Sequence, residues 1–240
     1  MAGAGREVGT MGMSKAFWRL TWLLVKAFFP KIAFQGPGSP LSGPAIFVAN
    51  HENAFGPVAS YLYFPVRIHP WIMYELSEKG ACARYLAQEF FQKEAKLGPA
   101  FSRFLARLIE PIVIALFRHI GAVPVYHNSR RIIETISRSI VLLEEGEFLI
   151  IFPEVPEANL NRYINRFNTG FLEIVKTADR RGRRRVPIYP VCIDRRRRLI
   201  RLGRPLMFDY SRNFVVEKRR IKCALEKAIT LMKAHMRATG

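Results

Sequence analysis

Ala45-Ile46-Phe47-Val48-Ala49-Asn50-His51-Glu52-Asn53-Ala54-Phe55-Gly56-Pro57 passes from an unbroken apolar run into a polar loop, with a histidine where the loop begins. Ile46 to Val48 read as a buried strand, bounded by Gly43-Pro44 before it and by polar residues and Gly56-Pro57 after it. His51 then sits at the C-terminal exit of that strand. In open α/β sheets ligands collect outside the carboxyl ends of strands, where a side chain is held rigidly yet faces a cleft. A neutral imidazole is the commonest general base near pH 7, which makes His51 a candidate for that role. Taken alone it reads more readily as a loop residue, with Asn50 forming the turn.

Three further stretches bear on the choice. Glu147-Phe148-Leu149-Ile150-Ile151-Phe152-Pro153-Glu154 is a strand that ends in a proline and a carboxylate. Val186-Pro187-Ile188-Tyr189-Pro190-Val191-Cys192-Ile193 is an alternating strand flanked by prolines. Ile120-Gly121-Ala122-Val123-Pro124-Val125-Tyr126-His127 precedes a helix that opens around Arg130 and Arg131. Amphipathic helices lead into these strands: Ile132, Ile133, Ile136, Ile140 and Leu143 before Gly146, then a helix from Gly170 through Ala178. That alternation argues for an α/β fold.

In their order and separations the four stretches resemble the sequence blocks of the glycerolipid acyltransferase superfamily, typified by 1-acylglycerol-3-phosphate acyltransferases. The resemblance runs from about Gly43 to Pro205. It implies a single acyltransferase-like α/β domain, with a mixed central sheet flanked by helices. It also implies a catalytic set of His51, Asn50 and Glu154, with His51 as general base. The reaction implied moves a fatty acyl group from acyl-CoA or acyl-carrier protein, as co-substrate, to a lysophospholipid-like or other lipid acceptor, without a cofactor. Arg130, Arg131, Arg162 and Arg166 are the basic residues near these blocks, and arginine suits bidentate phosphate contacts.

The blocks also depart from the family pattern. The family's first block is Asn-His, four variable residues and an Asp that orients the imidazole; Gly56 stands at the Asp position. His127 occupies a position where the second block usually has Arg. After Phe152, Pro153 and Glu154 come Val155, Pro156 and Glu157, where the family reads Gly-Thr-Arg. Glu75 or Glu78, near a family-like Glu75-Leu76, could orient His51 instead, as could Glu52. Two readings stay open: an active transferase with an altered acceptor, or a homologue without turnover that serves as a lipid-binding module. A third, nucleic-acid binding, rests on charge alone.

The chain has 240 residues and a formal charge of +19, from 38 Lys plus Arg against 19 Asp plus Glu. One α/β domain with an N-terminal appendage is the natural count. Half the residues are hydrophobic and mean hydropathy is +0.03, yet no apolar run is long enough to predict a transmembrane helix. The expected location is the cytoplasmic face of a membrane, peripheral or monotopic, with an anionic membrane surface as partner. No nucleic acid is expected, because the basic runs Arg180 to Arg185 and Arg195 to Arg198 lack interleaved aromatics. Cys82, Cys192 and Cys223 are too scattered for a metal site and read as reduced thiols.

Residues 1–13 are Gly-rich and aperiodic, and disorder is expected there. Residues 14–35 predict an amphipathic membrane-associating helix that stops before Pro30. Phe17, Leu20, Leu24, Ala27 and Phe28 share its apolar face, and Lys15, Arg19 and Lys26 reach outward. Residues 36–240 form the domain, entered through the turn-rich Gln35 to Pro40. Within it, Val58 to Tyr63 predict a short helix and Pro70 to Leu76 a strand. Residues 84–120 predict helix broken or kinked at Pro111, and 215–237 a C-terminal amphipathic helix.

Overall fold

The computed structural model describes residues 15–36, 41–127, 129–180 and 185–238. The expected disorder of residues 1–13, the helix start at Ser14, most of the Gln35 to Pro40 turn and the middle of the 180–185 basic run lie outside the described residues.

Seven strands form the main sheet: β1 (Ala33–Gln35), β2 (Ala45–Ala49), β3 (Ile68–Met73), β4 (Val123–Val125), β5 (Phe148–Ile151), and later β8 (Ile188–Asp194) and β9 (Leu199–Leu202). A separate antiparallel hairpin, β6 (Glu154–Asn159) and β7 (Asn165–Phe167), lies between β5 and β8 in sequence. The sheet order is β1-β9-β8-β2-β5-β3-β4. Only the β8–β9 pair is antiparallel, so the sheet is mixed, as expected.

Helices cover both faces, which is why β2 reads as a continuous apolar run and all five of its residues are buried. Ile46 and Val48 pack under α5 (Ile132–Glu144), α6 (Leu172–Arg180) and α7 (Phe214–Ala238). Ala45, Phe47 and Ala49 face the other layer, with Ala59 of α2 (Phe55–Tyr63) and with Phe29, just beyond α1 (Lys15–Phe28). A third cluster, around Cys82, Phe91, Ala106 and Ile114, joins α3 (Ala81–Tyr85), a π-helix (Leu86–Glu94) and α4 (Pro99–His119) beside the β3–β4 edge.

Two local expectations change. The Pro70 to Leu76 strand ends at Met73, and Tyr74–Ser77 form a 3-10 turn that takes Glu75 and Leu76 out of the sheet. α4 is not broken at Pro111 but runs through it. Pro111 is on the exposed side, so the carbonyl that loses its helical donor there is open to water.

α1 is apolar on the side facing away from the domain. Trp18 is buried, stacked on His119 at 4.8 Å, whereas Leu20, Leu24 and Phe28 are exposed, Phe28 by 90%. Among the described residues no helix is long and apolar enough to cross a membrane.

Candidate active site

β2, β5 and β8 are adjacent and parallel, so their C-terminal ends come together. The residues that follow them form the site. β2 delivers Asn50, His51 and Glu52; β5 delivers Phe152, Pro153 and Glu154; β8 ends at Asp194.

Asn50 is 1% exposed, and both ends of its amide are used. Nδ2 donates to the Ile193 carbonyl at 2.9 Å, and Oδ1 accepts the Ile193 N–H at 2.7 Å. The side chain thereby extends the β2–β8 ladder past the last strand residue. It fixes where the chain leaves the sheet and positions His51 rather than meeting substrate itself.

His51 is exposed. Its backbone N–H donates to Glu154 Oε1 at 3.0 Å, and Glu154 Oε2 accepts the Asn165 N–H from β7 at 3.2 Å. One carboxylate thus ties the His51 loop to the β6–β7 hairpin. The imidazole stands edge-on to Phe152, with ring centroids 5.3 Å apart. Among the described residues no hydrogen bond or ion pair reaches the imidazole nitrogens.

The loop then turns through two left-handed residues, Glu52 at φ 49° and Asn53 at φ 55°. Asn adopts this conformation readily, whereas Glu pays a strain that its surroundings must offset. The Glu52 carboxylate forms an ion pair with the Lys233 ammonium of α7, whose side chain is 3% exposed. α7 also reaches the end of β8, where Arg237 Nε donates to Asp194 Oδ2 at 3.3 Å. Asp194 Oδ1 accepts the N–H groups of Arg196 and Arg197. Burial raises the pKa of that carboxyl, but these donors outweigh it and hold the pKa below the ordinary Asp value.

The remaining predicted residues separate into groups. Arg162 and Arg166 are exposed on the β6–β7 hairpin, next to the element Glu154 anchors, and Arg162 lies over the Tyr163 ring at 4.7 Å. Arg130 and Arg131 precede α5, beyond β4, three strand positions from β2 and hence about 14 Å across the sheet. Arg131 is already engaged: it pairs with Glu78 at 2.9 Å and Glu134 at 3.2 Å and stacks on Tyr126 at 3.7 Å. Glu78 is thus spent on Arg131. Glu75 keeps one buried carboxylate oxygen without a partner among the described residues. Lys233 and Arg237 escaped the sequence reading, since only the fold brings α7 to the strand ends.

A family model for acyltransferases matches residues 101–194. The matched segment is similar to acyltransferases. That segment spans α4 through β8, and so holds the blocks around Val123, Glu154 and Val191; His51 lies before it. No curated protein matches the chain. Among solved structures, the chain is similar to the 1-acyl-sn-glycerophosphate acyltransferase PlsC from Thermotoga maritima. The two are 16% identical, with 91% of this chain and 89% of that chain covered and a TM-score of 0.49.

Proposed function

We propose that the chain is a membrane-associated acyltransferase that moves a fatty acyl group from acyl-CoA or acyl-carrier protein to a lysophospholipid-like or other lipid acceptor, with His51 as general base. The observation that carries this reading is an exposed histidine on a loop fixed from three sides, by Asn50 to β8, by Glu154 to the β6–β7 hairpin and by Lys233 to α7. The acyltransferase match downstream supplies the reaction class.

A His51 ring nitrogen takes the proton of the acceptor hydroxyl or amine as its oxygen or nitrogen attacks the thioester carbonyl. The tetrahedral oxyanion collapses, the C–S bond breaks, and the proton returns to the thiolate. Base catalysis of this kind contributes roughly two to four powers of ten, and orientation of the two substrates must supply much of the rest. Arg162 and Arg166 bring positive charge to the hairpin beside Glu154 for a phosphate of either substrate. Arg130 and Arg131 lie farther away and serve only an extended ligand.

A second reading, a lipid-binding module without turnover, draws on one feature: no carboxylate meets the imidazole nitrogens among the described residues. Loss of an orienting carboxylate costs about four powers of ten in serine-protease triads. Thiol release decides between the two. A panel of acyl-CoA and acyl-carrier-protein donors is incubated with lipid acceptors, comparing the native chain with His51→Ala. Acceptor-dependent release lost in the variant supports the transferase. Release no greater than the variant's, despite measurable acyl-chain binding, supports the module.

A further inference from the structure

A second feature lies at the opposite end of the sheet. Where α1 crosses the end of α2 and the C-terminus of α4, two adjoining clefts of about 320 and 340 Å³ share Tyr61 and His119. One contains Arg67 and the residues that begin β3; the other contains Trp18, Arg19 and Trp22 of α1. Ile68, the first residue of β3, lines the first cleft, so it opens at the N-terminal ends of the strands whose C-terminal ends carry His51.

The chemistry of these walls is specific. Arg19 and Arg67 have no carboxylate partner among the described residues, and each borders one of two clefts that share Tyr61 and the exposed His119. One arginine in each of two adjoining clefts, neither with a carboxylate counter-ion among the described residues, favours an anion there. The indole rings of Trp18 and Trp22 form the rest of the wall, and the Lys26 ammonium lies over Trp22 at 4.2 Å.

The other side of the same helix identifies the source of the anion. Leu20, Leu24 and Phe28 point away from the domain and are 57%, 52% and 90% exposed. A helix that sinks such a face into the acyl region of a bilayer holds its flanking basic and indole groups at headgroup depth. A site for a free phosphate has no use for this apolar surface. We propose that the clefts bind the phosphate of an anionic phospholipid headgroup in the membrane, as an anchoring site at the end of the sheet remote from the catalytic loop. The inference rests on α1 lying on a membrane, as in the proposed function, and is independent of whether acyl transfer occurs.

The test is co-sedimentation of the full chain with phosphatidylcholine vesicles, with and without phosphatidylglycerol. Each basic side chain at an anionic surface contributes on the order of 1 kcal/mol, or about fivefold. The pair Arg19→Gln with Arg67→Gln is therefore expected to weaken binding to the anionic vesicles about 25-fold. Arg138→Gln with Arg219→Gln removes the same charge from exposed positions on α5 and α7, across the sheet from α1, and is expected to cost less than about threefold. Unchanged circular dichroism establishes that both variants are folded.

Equal losses in the two pairs would overturn the site and leave only diffuse attraction. So would equal binding of the native chain to neutral and anionic vesicles. Displacement from vesicles by soluble glycerol phosphate would overturn the membrane lipid as the source. Leu20→Asp with Leu24→Asp tests the membrane reading itself. If the native chain binds vesicles and this variant does not, the membrane reading stands whatever the arginine pair does; if the native chain binds no vesicle, both ideas fall.

Discussion

A β-carbon added to Gly56 would stand 2.1 Å from the carbonyl oxygen of His51 and 2.9 Å from its carbonyl carbon. No side chain fits at the position where the acyltransferase pattern has its histidine-orienting Asp. α2 begins at Phe55, hard against the His51 backbone, so the loop is built around a glycine and leaves no room for a carboxylate there. Gly56→Asp is therefore expected to lower activity instead of restoring a pair. Gly56→Ala is expected to cost on the order of 1–3 kcal/mol of stability, since the clash is with backbone that cannot rotate away. Urea denaturation and thiol release measure both. An Asp variant that is stable and faster than the native chain would refute this steric exclusion.

Lys233 holds the same loop from outside. Its ammonium is nearly inaccessible and meets Glu52, whose carboxylate is about one-fifth exposed. Lys233→Met would leave Glu52 facing an apolar wall. Stability is expected to fall by roughly 2–4 kcal/mol, at or below the usual range for breaking a buried pair because Glu52 can still reach water. Glu52→Gln placed on top of Lys233→Met should recover part of that loss, since it removes the unpaired charge. A double-mutant cycle in urea tests the coupling, and additive losses would exclude it.

Asn50 is expected to tolerate no substitution. Asn50→Ala leaves the Ile193 N–H and C=O both buried and unpaired, at about 1–3 kcal/mol each. Asn50→Asp keeps an acceptor for the N–H but turns its second oxygen toward the Ile193 carbonyl, so it should be at least as damaging at neutral pH. Thermal melting of the two variants checks the order.

The strand ending in His51, the strand ending in Glu154 and the α/β alternation were legible because each is a local apolar run closed by turn residues. What was not legible depends on contacts far apart in sequence. Asn50 reads as a turn residue until β8 is known to lie beside β2, 143 positions away. Glu52 reads as a candidate partner for His51 until α7 brings Lys233 across from 181 positions away. α1 was legible as amphipathic, but periodicity alone does not say which face meets the domain. The two indoles face inward, and the aliphatic residues with Phe28 face out.

The arginines selected by proximity in sequence should behave differently from one another. Arg131 is hydrogen-bonded to Glu134 and Glu78, which hold its guanidinium above the usual arginine value. Arg131→Gln is therefore expected to leave KM for a phosphate-bearing acceptor within about twofold, because its exposed ion pairs contribute little. Arg166 has no carboxylate partner among the described residues and sits on the hairpin anchored by Glu154. Arg166→Gln is expected to raise that KM roughly tenfold, the loss of one charge-assisted phosphate contact. Steady-state kinetics on both variants separates them, and the reverse order would move the acceptor toward β4.

Asp194 makes acid sensitivity a test of how the β8 end is held. Its folded pKa lies below the unfolded Asp value of about 3.9, so ionisation favours the folded state. That contribution is complete above about pH 4–5 and is lost as pH falls through the folded value. The native chain should therefore lose stability between about pH 5 and pH 3, partly through this group. Asp194→Asn removes the titrating group together with its charged contacts to Arg237 and to the Arg196 and Arg197 N–H groups. The variant should be less stable at about pH 6, yet lose less on acidification, so the two stability curves converge at low pH. Curves that stay parallel would mean that Asp194 does not contribute to the acid limb, and that α7 is held to the strand ends by Lys233 and apolar packing alone.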